Sequence, residues 1–314
     1  MAIPKFKTVT RSQGNNQALK DGTVVPQTFS FDFEEIPVLV HGFRRMVRDL
    51  EFDICELALT TYICAKEHGA KFTALPIFLV RDFHHSAIYY NTKSGISSPK
   101  DLEGKKVGVN RGYTVTTGVW ARSILQDEYG VDLDKVTWVL SGDEHVAEYQ
   151  APANVIPIEP GKDMAQMLIS GELSAAIGIT VNHPDIQPLI PNGLAAGLSA
   201  LQHRGLYPIN HLIVVKDELL AAYPELAADI FNTFVASKQL YLERLKAGQI
   251  MDPSPIDEVH RRVMQFQPDP LPYGVAPNRK VLEQLLGHAT RQKIITRSVS
   301  VDDLFAAGSL DLLG

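Results

Sequence analysis

The sequence predicts an α/β protein of two lobes, and three observations carry that reading. Short strand-like runs alternate with helical stretches, turn-rich segments near 94–105 and 203–210 mark two crossings of the chain, and a mostly helical tail follows Asp217. Alternation of this kind implies helices layered on largely parallel sheets.

Strands are predicted at FKTVT (6–10), FDIC (52–55), FTALPIFLV (72–80), SAIYYN (86–91), KVGVN (106–110), VTWVL (136–140), SAAIGI (174–179) and HLIVVK (211–216). β-Branched and aromatic residues dominate these runs. Apolar residues at helical spacing fill 34–50, 57–68, 116–129 and 162–170. SGISSPKDLEGK (94–105) separates two strands and HRGLYPIN (203–210) leads into another. Residues 93–206 therefore read as an inserted lobe, and 1–92 plus 207–314 as a discontinuous one. The helical tail needs a sheet to cover, and the N-terminal strands offer it. Two lobes with two crossings imply a cleft between them where a ligand binds.

Composition narrows the function classes. The chain has 314 residues, 45% hydrophobic and 21% charged, without a low-complexity tract, which fits a folded globular protein. A net charge of −6 argues against a nucleic-acid or anionic-membrane partner, since both reward dense Lys/Arg surfaces. No run of about 18 uncharged apolar residues occurs, and MAIPKFKTVT lacks an apolar stretch of signal-peptide length, so a cytoplasmic location is expected. The two cysteines, Cys55 and Cys64, read as reduced buried thiols. The apolar C-terminal helices suit lobe packing and a homo-oligomer interface equally well.

A resemblance sharpens the picture. QALKDGTV (17–24), FDICELALTTYI (52–63), RDFHHSAIYYN (81–91), SGISSPKDLEGKKVGVNRGYTVTTGVWARSIL (94–125) and EPGKDMAQMLISGELSAAIG (159–178) together resemble the 4,5-dihydroxyphthalate decarboxylases. Those enzymes use the type 2 periplasmic-binding-protein-like fold. The resemblance runs from the first strand to YPINHLIVVK (207–216). It implies a carboxy-lyase that converts 4,5-dihydroxyphthalate, a small aromatic dicarboxylate, to protocatechuate and CO2 without oxidation, in bacterial phthalate degradation. Two other readings share the fold: a solute-binding protein for an aromatic acid or pyrimidine-type ligand, and an enzyme of vitamin-precursor synthesis. Fold alone does not choose among them.

The residues suggest how such chemistry is done. In the turn RGYTVTTG, backbone amides, the hydroxyls of Thr114, Thr116 and Thr117 and the guanidinium of Arg111 suit a carboxylate cradle at a helix start. An ordinary Thr-capped helix with a solvated arginine is the other reading. Arg81, just past a long apolar strand, is a candidate to clamp the second carboxylate, or else to pair with Asp82 or another surface acid.

Ring-carbon protonation, assisted by a deprotonated para hydroxyl, requires a base near the hydroxyls and an acid near the carbon. Histidine suits either task. Adjacent strand residues diverge, so if the stretch is extended at most one of His84 and His85 faces the cleft. The family pattern favours His85 for catalysis and leaves His84 to substrate binding; a strand-edge histidine bonded to backbone is the alternative. Glu56 follows FDIC at a helix start, either as a catalytic base or as a carboxylate stabilised by the helix dipole. His211 completes the acid/base set or fixes the second crossing. Tyr113 and Tyr207 are candidates to stack on the ring or bond its hydroxyls, whereas Trp120 reads as core. No HxH, HExxH or Cys-pair spacing is present, nor a glycine-rich nucleotide loop, so no metal and no cofactor are expected.

Overall fold

A computed structural model describes residues 3–314. In chain order the strands are β1 (Lys5–Val9), β2 (Ser30–Phe33), β3 (Ile54–Ala58), β4 (Phe72–Arg81), β5 (Ile88–Asn91), β6 (Lys106–Val109), β7 (Thr137–Leu140), β8 (Val155–Pro157), β9 (Ala175–Ile177), β10 (Ile186–Pro188) and β11 (Ile209–Lys216). They form a five-stranded sheet, β2-β1-β3-β11-β4, and a six-stranded sheet, β10-β5-β9-β6-β7-β8. Each sheet belongs to its own compact unit. The first unit holds residues 3–81, 209–283 and 299–314, and the second 82–208 and 284–298.

In the first unit β3 is buried along its whole length, which is why ICELA can carry a glutamate only if that group is fully partnered. β1 runs parallel to β3 with Val9 opposite Cys55, so the chain leaves β1 beside Glu56. β11 lies antiparallel between β3 and β4, and its pairing with β4 shifts register on either side of His211. Such irregularities turn a side chain out of the regular pleat and are frequent beside functional sites. The helix Leu226–Lys246 buries Ile230, Phe231, Phe234 and Leu242 at helical spacing and packs against β4.

The second unit is built on parallel strands β6, β7, β8 and β9, with β5 and β10 added antiparallel at one edge. β6 leads through a turn into the helix Thr116–Tyr129, whose inner face buries Val119, Trp120, Ile124 and Leu125. Gly130 ends that helix with φ +66, a left-handed conformation that glycine adopts without a Cβ penalty.

Several expectations change. The first crossing falls between Arg81 and Asp82 rather than at 92, because β5 pairs with β9 and β10. Residues 284–298 of the helical tail also belong to the second unit, where the side chain of Gln292 bonds Arg122, Ser123 and the Val119 carbonyl. The sheets are less uniformly parallel than expected, since β11 and β5 run against their neighbours. His84 and His85 sit in a 3-10 turn, His84–Ala87, ahead of β5, not on an extended strand. Neither cysteine forms a disulfide, and both are buried. Among the described residues no helix is long and apolar enough to cross a membrane.

Candidate active site

Each unit presents a separate cluster of polar groups. In the first, the register of β3 and β11 sets Glu56 opposite Ile213 and His211 opposite Ala58. Glu56 and His211 are therefore diagonal neighbours on one face of an antiparallel pair. His211 Nδ1 lies 2.6 Å from Glu56 Oε1. Arg11, just beyond β1, completes the cluster: its backbone N–H donates to Glu56 Oε2 at 2.9 Å and its Nε to Oε1 at 3.0 Å. Arg11 Nη2 also approaches His211 Nδ1 at 3.0 Å.

The electrostatics follow from burial. The Glu56 side chain is 0% exposed, whereas His211 and Arg11 side chains are 13% and 40% exposed. Burial alone would raise the Glu56 carboxyl, but the hydrogen bond to His211 and the charges of His211 and Arg11 outweigh it and hold the group below its ordinary value. With Glu56 ionised 2.6 Å away, Nδ1 of His211 carries the proton of that hydrogen bond, and Nε2 is the nitrogen left to exchange one. Phe43 meets the imidazole edge-on, with centroids 5.2 Å apart, and limits its rotation. Such an arrangement can act as a general base, its acidic partner stabilising the imidazolium once it forms. Glu56 thus stands within a strand, not at a helix start, and the helix-dipole reading is replaced by a direct ion pair.

In the second unit the turn after β6 borders a polar recess of about 150 Å³ lined by Asn110, Arg111, Val115, Thr117, Gly118 and Gly178. Val115 caps the helix Thr116–Tyr129 without a side-chain bond, so the first-turn amides are left to the loop or to a ligand. Arg111 is exposed at the rim and has φ 70, a left-handed conformation uncommon outside glycine. Its backbone N–H donates to Ser141 Oγ at 2.7 Å, which steadies that geometry. Asn110 Nδ2 donates to the Gly178 carbonyl at 2.8 Å and closes the opposite wall.

The expected cradle is thus divided. Arg111 and Thr117 line the recess, and Thr116 is buried at the helix start. Thr114 does not line it: its amide and hydroxyl donate to Glu144 Oε2 at 3.1 and 2.6 Å, and the Tyr113 amide donates to Glu144 Oε1. Tyr113 is buried under the guanidinium of Arg122, 3.8 Å from the ring centroid, which removes it from any stacking role. Tyr207 is buried against Phe83, ring centroids 4.8 Å apart, and is core for the same reason.

The remaining expected groups are also structural in their surroundings. Arg81, 2% exposed at the end of β4, donates to Asn278 Oδ1 and lies over the Phe78 ring. His84 is buried in its 3-10 turn. His85 is 0% exposed, and its Nε2 lies 3.0 Å from Glu128 Oε1, an atom that also accepts from Arg204. The His85 ring is thus enclosed within the second unit and paired there with Glu128. Arg11, Asn110 and Glu144 were not expected. Each is brought in by pairing across many residues, and only the position of Arg11 at a strand end could have flagged it. Among the described residues no three His, Cys, Asp or Glu side chains gather so as to hold a metal ion.

Two α/β units, one with an acid–histidine pair and the other with a polar recess at a strand-to-helix turn, define a protein of the periplasmic-binding-protein-like fold. Its solved neighbours include the alkanesulfonate-binding protein SsuA from Xanthomonas axonopodis pv. citri, bound to MOPS, with a TM-score of 0.56 at 15% identity over 98% of this chain and 99% of that one. That likeness establishes the fold alone. The NMT1/THI5-like family matches residues 53–158. A 4,5-dihydroxyphthalate decarboxylase from Comamonas testosteroni is 29% identical over 286 residues, 86% of this chain and 86% of its own length. A second protein of that name, from Pseudomonas putida, is 36% identical over 171 residues, 49% of this chain and 66% of that protein. The chain is thus a relative of the 4,5-dihydroxyphthalate decarboxylases, as its motifs led one to expect.

Proposed function

We propose that this chain is a carboxy-lyase that decarboxylates 4,5-dihydroxyphthalate to protocatechuate and CO2. The observation that carries the mechanism is the buried Glu56 carboxylate 2.6 Å from His211 Nδ1, with Arg11 bonded to the same carboxylate. The likeness to two decarboxylases of that substrate supports the reaction. His211 Nε2 takes the proton of the ring hydroxyl para to the departing carboxylate, and Glu56 stabilises the imidazolium. The phenolate electrons move into the ring, and the carbon bearing the carboxylate accepts a second proton. The carbon–carbon bond to CO2 then breaks, its electron pair restores the aromatic phenolate, and His211 returns its proton. The sum is one proton consumed and one CO2 released, with no change of oxidation state.

The recess lined by Asn110, Arg111, Thr117 and Gly118 seats a substrate carboxylate. Bacterial phthalate breakdown inside the cell is the setting such an activity fits. The test is direct: purified protein incubated with 4,5-dihydroxyphthalate releases CO2 and protocatechuate in equal amounts. Saturable binding with the compound recovered unchanged would instead make it a solute-binding protein.

A further inference from the structure

The turn that shapes the recess is held by two charged side chains of opposite sign, neither of which lines it. Glu144 accepts from the amides of Tyr113 and Thr114 and from Thr114 Oγ1. From the other side Arg122, fully buried, donates Nη2 to the Tyr113 carbonyl at 2.6 Å and is itself anchored by Gln292 Oε1 at 2.8 Å. The Tyr113 backbone is therefore gripped on both sides, its N–H by an anion and its C=O by a cation. Gly112 makes room for the anion, because a Cβ there would stand 2.6 Å from Glu144 Oε2. One residue earlier lies Arg111, whose left-handed backbone aims the chain along the recess.

We infer that Glu144 is a positioning residue for substrate: a resident carboxylate that holds the 111–114 turn in the shape that seats the substrate's own carboxylate. This rests on the proposed role of the recess. Three donors converge on one carboxylate, and charge-assisted bonds of this kind are roughly twice as strong as neutral ones. A neutral or shorter side chain cannot satisfy all three, so the turn relaxes and Arg111 loses its fixed origin.

Because the resident group is a carboxylate, a free carboxylate of the right size can replace it. The test is calorimetric titration with phthalate, the dicarboxylate without ring hydroxyls, of the wild type, Glu144→Ala and Thr114→Val. Each titration is repeated with excess acetate and with excess acetamide, and melting temperatures are recorded alongside. Glu144→Ala should bind phthalate about tenfold more weakly, and acetate, but not acetamide, should restore much of the loss after correction for acetate competition measured on the wild type. A purely architectural glutamate would change the melting temperature and leave no acetate effect, which overturns the inference. If Glu144→Ala does not fold, Thr114→Val, which removes one of the three donors, decides: weaker binding at unchanged melting temperature supports it, and unchanged binding overturns it. A wild type that takes no phthalate overturns the reading of the recess and this inference with it; wild-type binding together with unimpaired Glu144→Ala overturns this inference alone.

Discussion

Glu56 and His211 meet at 2.6 Å although 155 residues separate them in the chain. The antiparallel pairing of β3 with β11 makes that meeting. The pair is preorganised: the carboxylate is buried, doubly bonded by Arg11 and held ionised before any substrate arrives.

Arg11 should matter through Glu56. Arg11→Ala removes the Nε bond and the nearby charge that keep Glu56 below its ordinary value, so the acid limb of the kcat profile should move to higher pH. Arg11→Lys, which keeps the charge but loses the fork, should restore that limb only in part. A pH–rate profile of the three proteins checks this, and superimposable acid limbs would remove Arg11 from the account.

Arg111 should act on binding. Arg111→Ala should raise KM by about tenfold or more with a smaller change in kcat, because a guanidinium on a substrate carboxylate is used in ground and transition states alike. Steady-state kinetics on 4,5-dihydroxyphthalate decide it, and a fall in kcat at constant KM would place Arg111 elsewhere.

His85 should act on stability. Its removal leaves Glu128 half-buried with one partner fewer and opens a void, so His85→Ala should lose about 1–3 kcal/mol of folding free energy. Denaturant unfolding measures the loss, while kcat of the folded fraction should stay near the wild-type value. A variant of full stability and much reduced turnover would return His85 to the catalytic set.

Acid should weaken the first unit through His260. Its ring is buried, with Nδ1 2.7 Å from Tyr241 Oη, which donates to Asp257 at 2.6 Å. Burial outweighs the attraction of Asp257 and pushes the imidazole from 6.5 down to about 4. Between those values the unfolded chain binds a proton that the folded chain refuses. The group is therefore neutral in effect above pH 6.5 and costs stability as pH falls towards 4, by up to about 3 kcal/mol. Glu56 has the same sign lower down: held below its ordinary value, it contributes stability that is lost as pH falls through its folded value. Melting temperatures over this range should drop with pH, and His260→Gln should flatten the upper part of the slope. An unaltered slope in that variant would rule out His260 as its source.

The strands were legible because β-branched and aromatic runs are hard to place elsewhere: FTALPIFLV, KVGVN, VTWVL and HLIVVK all lie on observed strands within a residue or two. Val155–Pro157 and Ile186–Pro188 escaped, being three-residue strands largely exposed beyond their first residue and ending in proline. Helical spacing shows that a helix has an apolar face but not which sheet it covers, so 284–298 was given to the wrong unit. For the site, Glu56 and His211 stood out as residue types at strand ends, yet their contact depends on strand order and register. Arg11 depends on the same pairing. Glu144 was invisible because a loop glutamate gives no sign of the amides it will reach, and the surroundings of His84 and His85 were not legible because alternation along a strand does not apply in a 3-10 turn.

The most direct measurement is the rate of CO2 release from 4,5-dihydroxyphthalate at saturating substrate by the wild type, His211→Ala and Glu56→Gln, with phthalate affinity determined for each. The wild type should release CO2 and protocatechuate one for one. His211→Ala should be slower by about 10²-fold or more with affinity little changed, and Glu56→Gln should be slowed in the same direction. Equal rates in the wild type and His211→Ala would contradict the account.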